Sequence, residues 1–175
     1  MTVVGRIGVD DLEDLRSLRM DDDGRTELLR VATECVFVFS EPGGWPGGVV
    51  MSFLFEEGKF WLTAVAGRTH AEALRLDPRV TVVVSSQGTP LQGRRMVAVR
   101  GVAVVHTDRA TKEWFLPRFA AKVGAAASEE FVRLLDSPKR VVFEVTPVRI
   151  AASHDSRKMP GDGRGGPRAE TSTEE

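Results

Sequence analysis

The sequence predicts a β-rich α+β domain. A mostly antiparallel sheet of six strands curls into a small closed or half-closed barrel with short helices around it. Three observations carry this. Apolar, β-favouring runs follow one another with only short turns between them. One unit, residues 59–86, reads strand, turn, short helix, strand. A long valine-rich strand at 94–106 has a glycine, Gly101, in its middle, which marks the bulge or bend that lets a strand curl.

The remaining elements follow in chain order. Residues 1–8 are a lead-in. Asp10 or Asp11 caps a short helix with Leu12, Leu15 and Leu18 at helical spacing. Asp21, Asp22 and Asp23 open a second short helix, where the helix dipole favours negative charge. A first strand spans 35–40. The next eight residues, EPGGWPGG, contain four Gly and two Pro and form a turn. Residues 49–56 are read as one second strand, turned by Glu57-Gly58 into a third at 60–66.

Gly67 ends that third strand. Thr69 and Glu72 have the spacing of a capping box for the helix that follows. Pro78 forbids helix at Asp77, so the helix stops there. A fourth strand begins at Val80, a polar loop fills 87–93, and the long strand follows. Thr107 or Asp108 caps a helix with Trp114, Phe115, Phe119 and Val123 on a wide apolar face, which Pro117 is expected to kink or split. Residues 125–127 link it to a helix capped by Ser128, and the last strand is 141–150. From about Ser156 the chain holds Gly, Pro and charge with almost nothing apolar, so disorder is expected over 156–175. Residues 1–155 form one domain, with 1–32 as a helical segment within it.

Composition narrows the function. Of 175 residues, 42% are hydrophobic and 28% charged, and the formal net charge is −1. No global field draws such a chain to nucleic acid or to an anionic membrane. No apolar run has the length of a membrane span and no signal-peptide core precedes the domain, so a cytoplasmic location is expected. Cys35 is the single cysteine and lies in an apolar run, which reads as a buried, inert thiol. His70, His106 and His154 lack metal-ligand spacing, so no metal site is expected. Neither a nucleophile elbow nor a phosphate-binding glycine loop is present. A chain with no catalytic constellation of its own can take its chemistry from a cofactor. The corner after Gly67 offers the means: free N–H groups at a helix start, with Arg68, Thr69 and His70 beside them, can hold a phosphate or simply cap a helix.

Thr63, Gly67, Leu74, Pro78 and Val80, in this order and spacing, resemble the flavin-binding split barrels related to pyridoxamine 5′-phosphate oxidase, and the resemblance runs from about Thr33 to about Lys158. It implies a split β-barrel, a homodimer with FMN across its interface, and flavin-dependent oxidation or reduction of a small organic molecule. It places Val49, Val50, Met51 and Ser52 along the cofactor through backbone groups. Thr63 and Ala64 lie at the end of the third strand, Arg68, Thr69 and His70 at the phosphate, and Arg95 within reach of the ring. Where many relatives carry Arg-Lys or Lys, this chain has Thr69 and His70, so the phosphate grip rests on Arg68, the Thr69 hydroxyl and helix amides. The same groove is open to the deazaflavin F420 or to haem, with or without turnover. The substrate-binding C-terminal segment of the true oxidases is not recognisable here, and their reaction is not assigned. His154, Asp155 and Lys158 either close over the cofactor or lead out of the barrel into solvent.

Overall fold

The structure, a computed structural model, describes residues 18–124 and 128–159. Helix α1 (Asp22–Val31) precedes β1 (Glu34–Ser40), β2 (Pro46–Ser52), β3 (Leu54–Glu56) and β4 (Lys59–Val65). Then come α2 (Thr69–Leu76), β5 (Arg79–Ser85), β6 (Arg95–His106), α3 (Arg109–Lys122), α4 (Ser128–Leu135) and β7 (Arg140–Asp155). All strands join one antiparallel sheet in the order β2-β1-β5-β6-β7-β4-β3. It is the expected β-rich, α+β half-barrel, with seven strands instead of six.

The extra strand comes from Phe53. The apolar run from Val49 to Glu56 reads as one strand, yet its two halves pair on opposite sides of the molecule: β2 with β1, β3 with β4. Phe53 is the hinge between them. Its side chain is fully buried against Phe60, and its N–H bonds to the Thr33 carbonyl. The two edges of the sheet are therefore one residue apart in sequence, which forces the sheet to curl until they meet.

Local chemistry sets the other bends. Glu57 and Gly58 both take positive φ (54° and 74°), as a two-residue hairpin turn with the right twist requires. In β6 the pairing with β7 slips at Ala98/Val99 and again at Arg100/Gly101. A Cβ on Gly101 would stand 2.6 Å from Val145 Cγ1 and 2.8 Å from the Thr146 carbonyl oxygen. Gly101→Ala should therefore destabilise the fold by about 1–3 kcal/mol; a urea midpoint unmoved by the substitution would contradict the tight β6–β7 packing.

The barrel interior holds Phe37, Phe39, Phe53, Phe60, Leu62, Val82, Val84, Val97, Phe143 and Val145. Leu28 and Leu29 of α1, with Ala32 at its C-cap, cover one mouth, and Ala71, Ala73 and Leu74 of α2 cover the other. Cys35 is buried in this core, and burial pushes its thiol up to about 12. Outside the barrel, α3 and α4 lie over β3, β4 and β7, burying Leu54, Trp61, Phe115, Leu116, Phe119 and Val142. Helix α3 runs through Pro117 unbroken. Three large side chains buried on the sheet, at roughly 1.5–3 kcal/mol each, outweigh the roughly 3 kcal/mol cost of an interior proline. Asp108 caps this helix by accepting from the Thr111 N–H.

Between the helices and the sheet, Glu144 of β7 accepts from Lys59 Nζ and lies 2.8 Å from His106 Nε2. Lys59, above all, holds its carboxyl below the usual carboxylate value. A depressed folded pKa stabilises above the unfolded pKa and is lost as pH falls through the folded value. Glu144→Gln should thus flatten the acid limb of stability below about pH 4.5. Acid unfolding identical to that of the parent chain would remove Glu144 from that role.

The predicted helix at Asp10 or Asp11 lies outside the described residues, except for Leu18, which is buried. At the other end the ordered chain passes the expected limit. Strand β7 continues to Asp155, and Ser156–Lys158 form a 3-10 turn with Ser156 buried. Asp155 organises it by accepting from the Arg157 N–H and guanidinium.

Candidate cofactor site

Two strand edges meet without pairing. β2 hydrogen-bonds to β1 on one side, and its other side pairs with no strand among the described residues. β4 pairs with β3 only over Lys59, Phe60 and Trp61; residues 62–65 pair with β7 alone. β2 and β4 lie beside each other across this split. Alternate N–H and C=O groups of Val49, Val50, Met51 and Ser52 on one side, and of Thr63 and Ala64 on the other, have no strand partner there. Unpaired backbone groups need hydrogen-bond partners, which solvent or a flat heterocycle with a donor–acceptor edge can supply.

Most side chains along the split are apolar. Val49 and Met51 pack on the core, while Val50 points out and is 67% exposed. Ala64 is buried, and the Thr63 hydroxyl donates to the Val141 carbonyl at 2.8 Å.

β4 leads into the Gly67 corner. Gly67 has φ +91°, a conformation that favours glycine. The expected capping box of Thr69 and Glu72 does not form. Arg68, not Thr69, takes the N-cap position, and its side chain makes no cap bond. Glu72 reaches back past the helix start to accept from the Gly67 N–H at 3.3 Å. Gly67's left-handed turn brings its own amide over the helix end, so the Thr69 hydroxyl is left exposed and unused as a cap. Arg68 is also exposed, with no acidic partner among the described residues.

His70 faces the other way. Its ring lies 6.0 Å from both Phe39 and Phe143, edge-on to the second, inside the barrel mouth. Burial, then the nearby Arg68, lowers its pKa below the ordinary histidine value. It is a neutral wedge under the helix, and the free positive charge at the corner belongs to Arg68.

Arg95 is elsewhere. It begins β6, at the mouth covered by α1, and is 3% exposed. Its guanidinium pairs with Glu27 of α1 and donates to the Gln92 carbonyl at 3.2 Å. His106, across the sheet from the site strand β4, ends the same β6 eleven residues on, roughly 35 Å along the strand. Arg95 thus ties a helix to the barrel. Nothing local in the sequence announces Glu27 as its partner, 68 positions away.

A match to the family model for pyridoxamine 5′-phosphate oxidase covers residues 26–154. The chain belongs to this family. Solved structures show the same fold. A conserved hypothetical protein of Mycobacterium tuberculosis aligns at TM-score 0.69 and 20% identity, covering 81% of this chain and 89% of that one. An F420 reductase aligns at 0.55 and 19%, covering 71% and 94%. A haem storage protein of Vibrio cholerae aligns at 0.60 and 15%, covering 75% and 94%. No curated protein matches the sequence. Family membership accounts for the β-rich half-barrel. No helix among the described residues is long and apolar enough to cross a membrane.

Proposed function

We propose that this member of the family is a cytoplasmic, homodimeric, FMN-dependent oxidoreductase acting on a small organic molecule. The observation that carries the reading is the pair of free backbone edges on β2 and β4 that ends at the Gly67 corner. FMN, when bound, supplies two-electron chemistry by hydride transfer. The chain's own part is to bind and orient. Amides and carbonyls at 49–52 and at Thr63 and Ala64 hold the ring edge. The Arg68 guanidinium and the first-turn amides of α2 hold the phosphate.

The homodimer is supported by the outer face of the sheet. Residues paired in register across five strands, Val50, Val36, Val83, Ala98 and Ala152, form an apolar row there, and Val36 and Val50 are exposed. An exposed apolar face of this extent is a feature of interaction surfaces.

Glu72 favours a second reading. Its carboxylate sits on the Gly67 N–H, and one guanidinium beside one carboxylate suits a singly charged phosphodiester better than a phosphate dianion. F420 carries such a diester, and an F420 reductase shares the fold.

Titrating the purified chain with FMN and with F420, followed by flavin absorbance and deazaflavin fluorescence, tests both. Saturable FMN binding supports the first reading, and F420 binding without FMN binding supports the second. A chain that takes up neither overturns the cofactor assignment.

A further inference from the structure

The turn between β1 and β2 displays the only exposed aromatic side chain among the described residues. Trp45 is 76% exposed, while every phenylalanine and the other two tryptophans are buried or half-buried. The turn holds its backbone in place. The Glu41 N–H donates to the Trp45 carbonyl at 2.8 Å, and the Gly44 N–H donates to the Glu41 carbonyl at 3.0 Å. Pro46 follows at once and fixes the chain where β2 begins. A large ring displayed on a closed turn loses little freedom when it docks.

Beside the turn, the outer face of the sheet carries an open-sided hollow of about 440 Å³. Pro46 and Ser40, paired at the base of the turn, form one wall. Val38, Thr81 and Val102 lie along the floor, with Arg100 and Val148 beyond them, and Trp45 does not line it. Val38, Thr81 and Arg100 stand in register across three strands, two residues along from Val36, Val83 and Ala98. Strand alternation puts both rows on one face, so the hollow continues the apolar row assigned above to the homodimer. Arg100 lies opposite Arg149 in the β6–β7 register; both are exposed, and neither has an acidic partner among the described residues. Like charges directly across a sheet are unfavourable. Arg79, the other arginine of the hollow, is held by Asp77. Arg100 is thus a cation without a counterpart on the rim of a largely apolar hollow.

We infer that a second copy of this chain seats its Trp45 in this hollow and receives the first copy's Trp45 in its own. The inference rests on the homodimeric reading above and adds where the two copies lock. A two-fold interface makes every contact twice, and a knob standing beside a hole on the same surface is the self-complementary shape it uses. The indole covers Val102 and Val148, which are both exposed in one copy alone. The Arg100 guanidinium lies over the indole face as a cation–π contact. Tryptophan and arginine are the residue types that carry most binding energy at such interfaces. A small ligand in the hollow would leave Trp45 bare, whereas a second copy covers both features with one contact.

The full chain labelled with 5-fluorotryptophan gives one ¹⁹F signal per tryptophan, and Trp45→Phe identifies that of Trp45. Sedimentation equilibrium, with and without saturating FMN, gives the dimer dissociation constant. In the dimer the Trp45 signal should show little of the solvent isotope shift of an exposed fluoroindole. Trp45→Ser should raise the dissociation constant at least about 100-fold, because both anchors are lost at once. Arg100→Gln should raise it about 10-fold. A solvent-exposed Trp45 in the dimer, or a Trp45→Ser chain that dimerises as tightly as the parent, would overturn the anchor and leave the homodimer standing. Parent affinity in Arg100→Gln would place the indole elsewhere and overturn the hollow as its seat. A parent chain that stays monomeric at every concentration, with FMN and without, would sink the homodimer and the anchor together.

Discussion

Phe53→Ala should lower the free energy of unfolding by about 3–5 kcal/mol, the range for truncating a buried phenylalanine. Few positions in the chain have as much resting on them. Phe53 is 0% exposed, packs at 5.7 Å on the Phe60 ring, and bonds Thr33 through its N–H. It also separates the two sheet edges, so the cavity it leaves lies where β2 turns away from β4. The expected result is therefore double: a lower urea midpoint and weakened cofactor binding in the fraction that still folds. Phe53→Leu, which fills most of the space, should recover much of both. A loss below about 1 kcal/mol for the alanine variant would mean that the barrel closes by other contacts.

The second large effect concerns charge at the Gly67 corner. Arg68→Ala should weaken FMN binding by about 1–3 kcal/mol, the value of a charge-assisted hydrogen bond. Glu72→Gln should strengthen it by up to about 1 kcal/mol, because it removes a negative charge from the helix start while keeping a group to meet the Gly67 N–H. Both side chains are exposed, so added salt should shrink both effects. Opposite signs for the two substitutions are the signature of an anion at this corner. If Arg68→Ala leaves the affinity unchanged, Arg68 is not part of the site. If Glu72→Gln weakens binding, Glu72 is a structural brace for the turn and not a competitor of the ligand.

The features legible in the sequence are those that depend on neighbours along the chain. Glu57-Gly58 can hardly be other than a turn, Pro78 ends α2 at Asp77, and Gly101 marks the slip in β6. Strand β4 and the turn at Gly67 are legible for the same reason, through short-range order and spacing. The features that stayed hidden depend on partners far away in sequence. Within the apolar stretch 49–56 no residue says that pairing changes sides at Phe53; that follows from which strand is left unpaired when the sheet closes. Arg95 carries no mark of Glu27, so its burial was not foreseen. His70 has the residue type and position of a phosphate contact, but one step along a helix rotates a side chain by about 100°, and here that step turns it onto Phe39 and Phe143. The Arg68-for-Thr69 shift at the cap has a similar origin. The Gly67 turn decides which amide Glu72 can reach.

Backbone hydrogen exchange with and without saturating FMN addresses the central idea most directly, because the proposed site is built chiefly from amides. Slowed exchange should appear in 49–52 of β2, at Thr63 and Ala64, and in the first turn of α2, with the β5–β6 loop at 86–94 unchanged. Protection confined to other segments, or none at all in the β2 edge while FMN is bound, would contradict it.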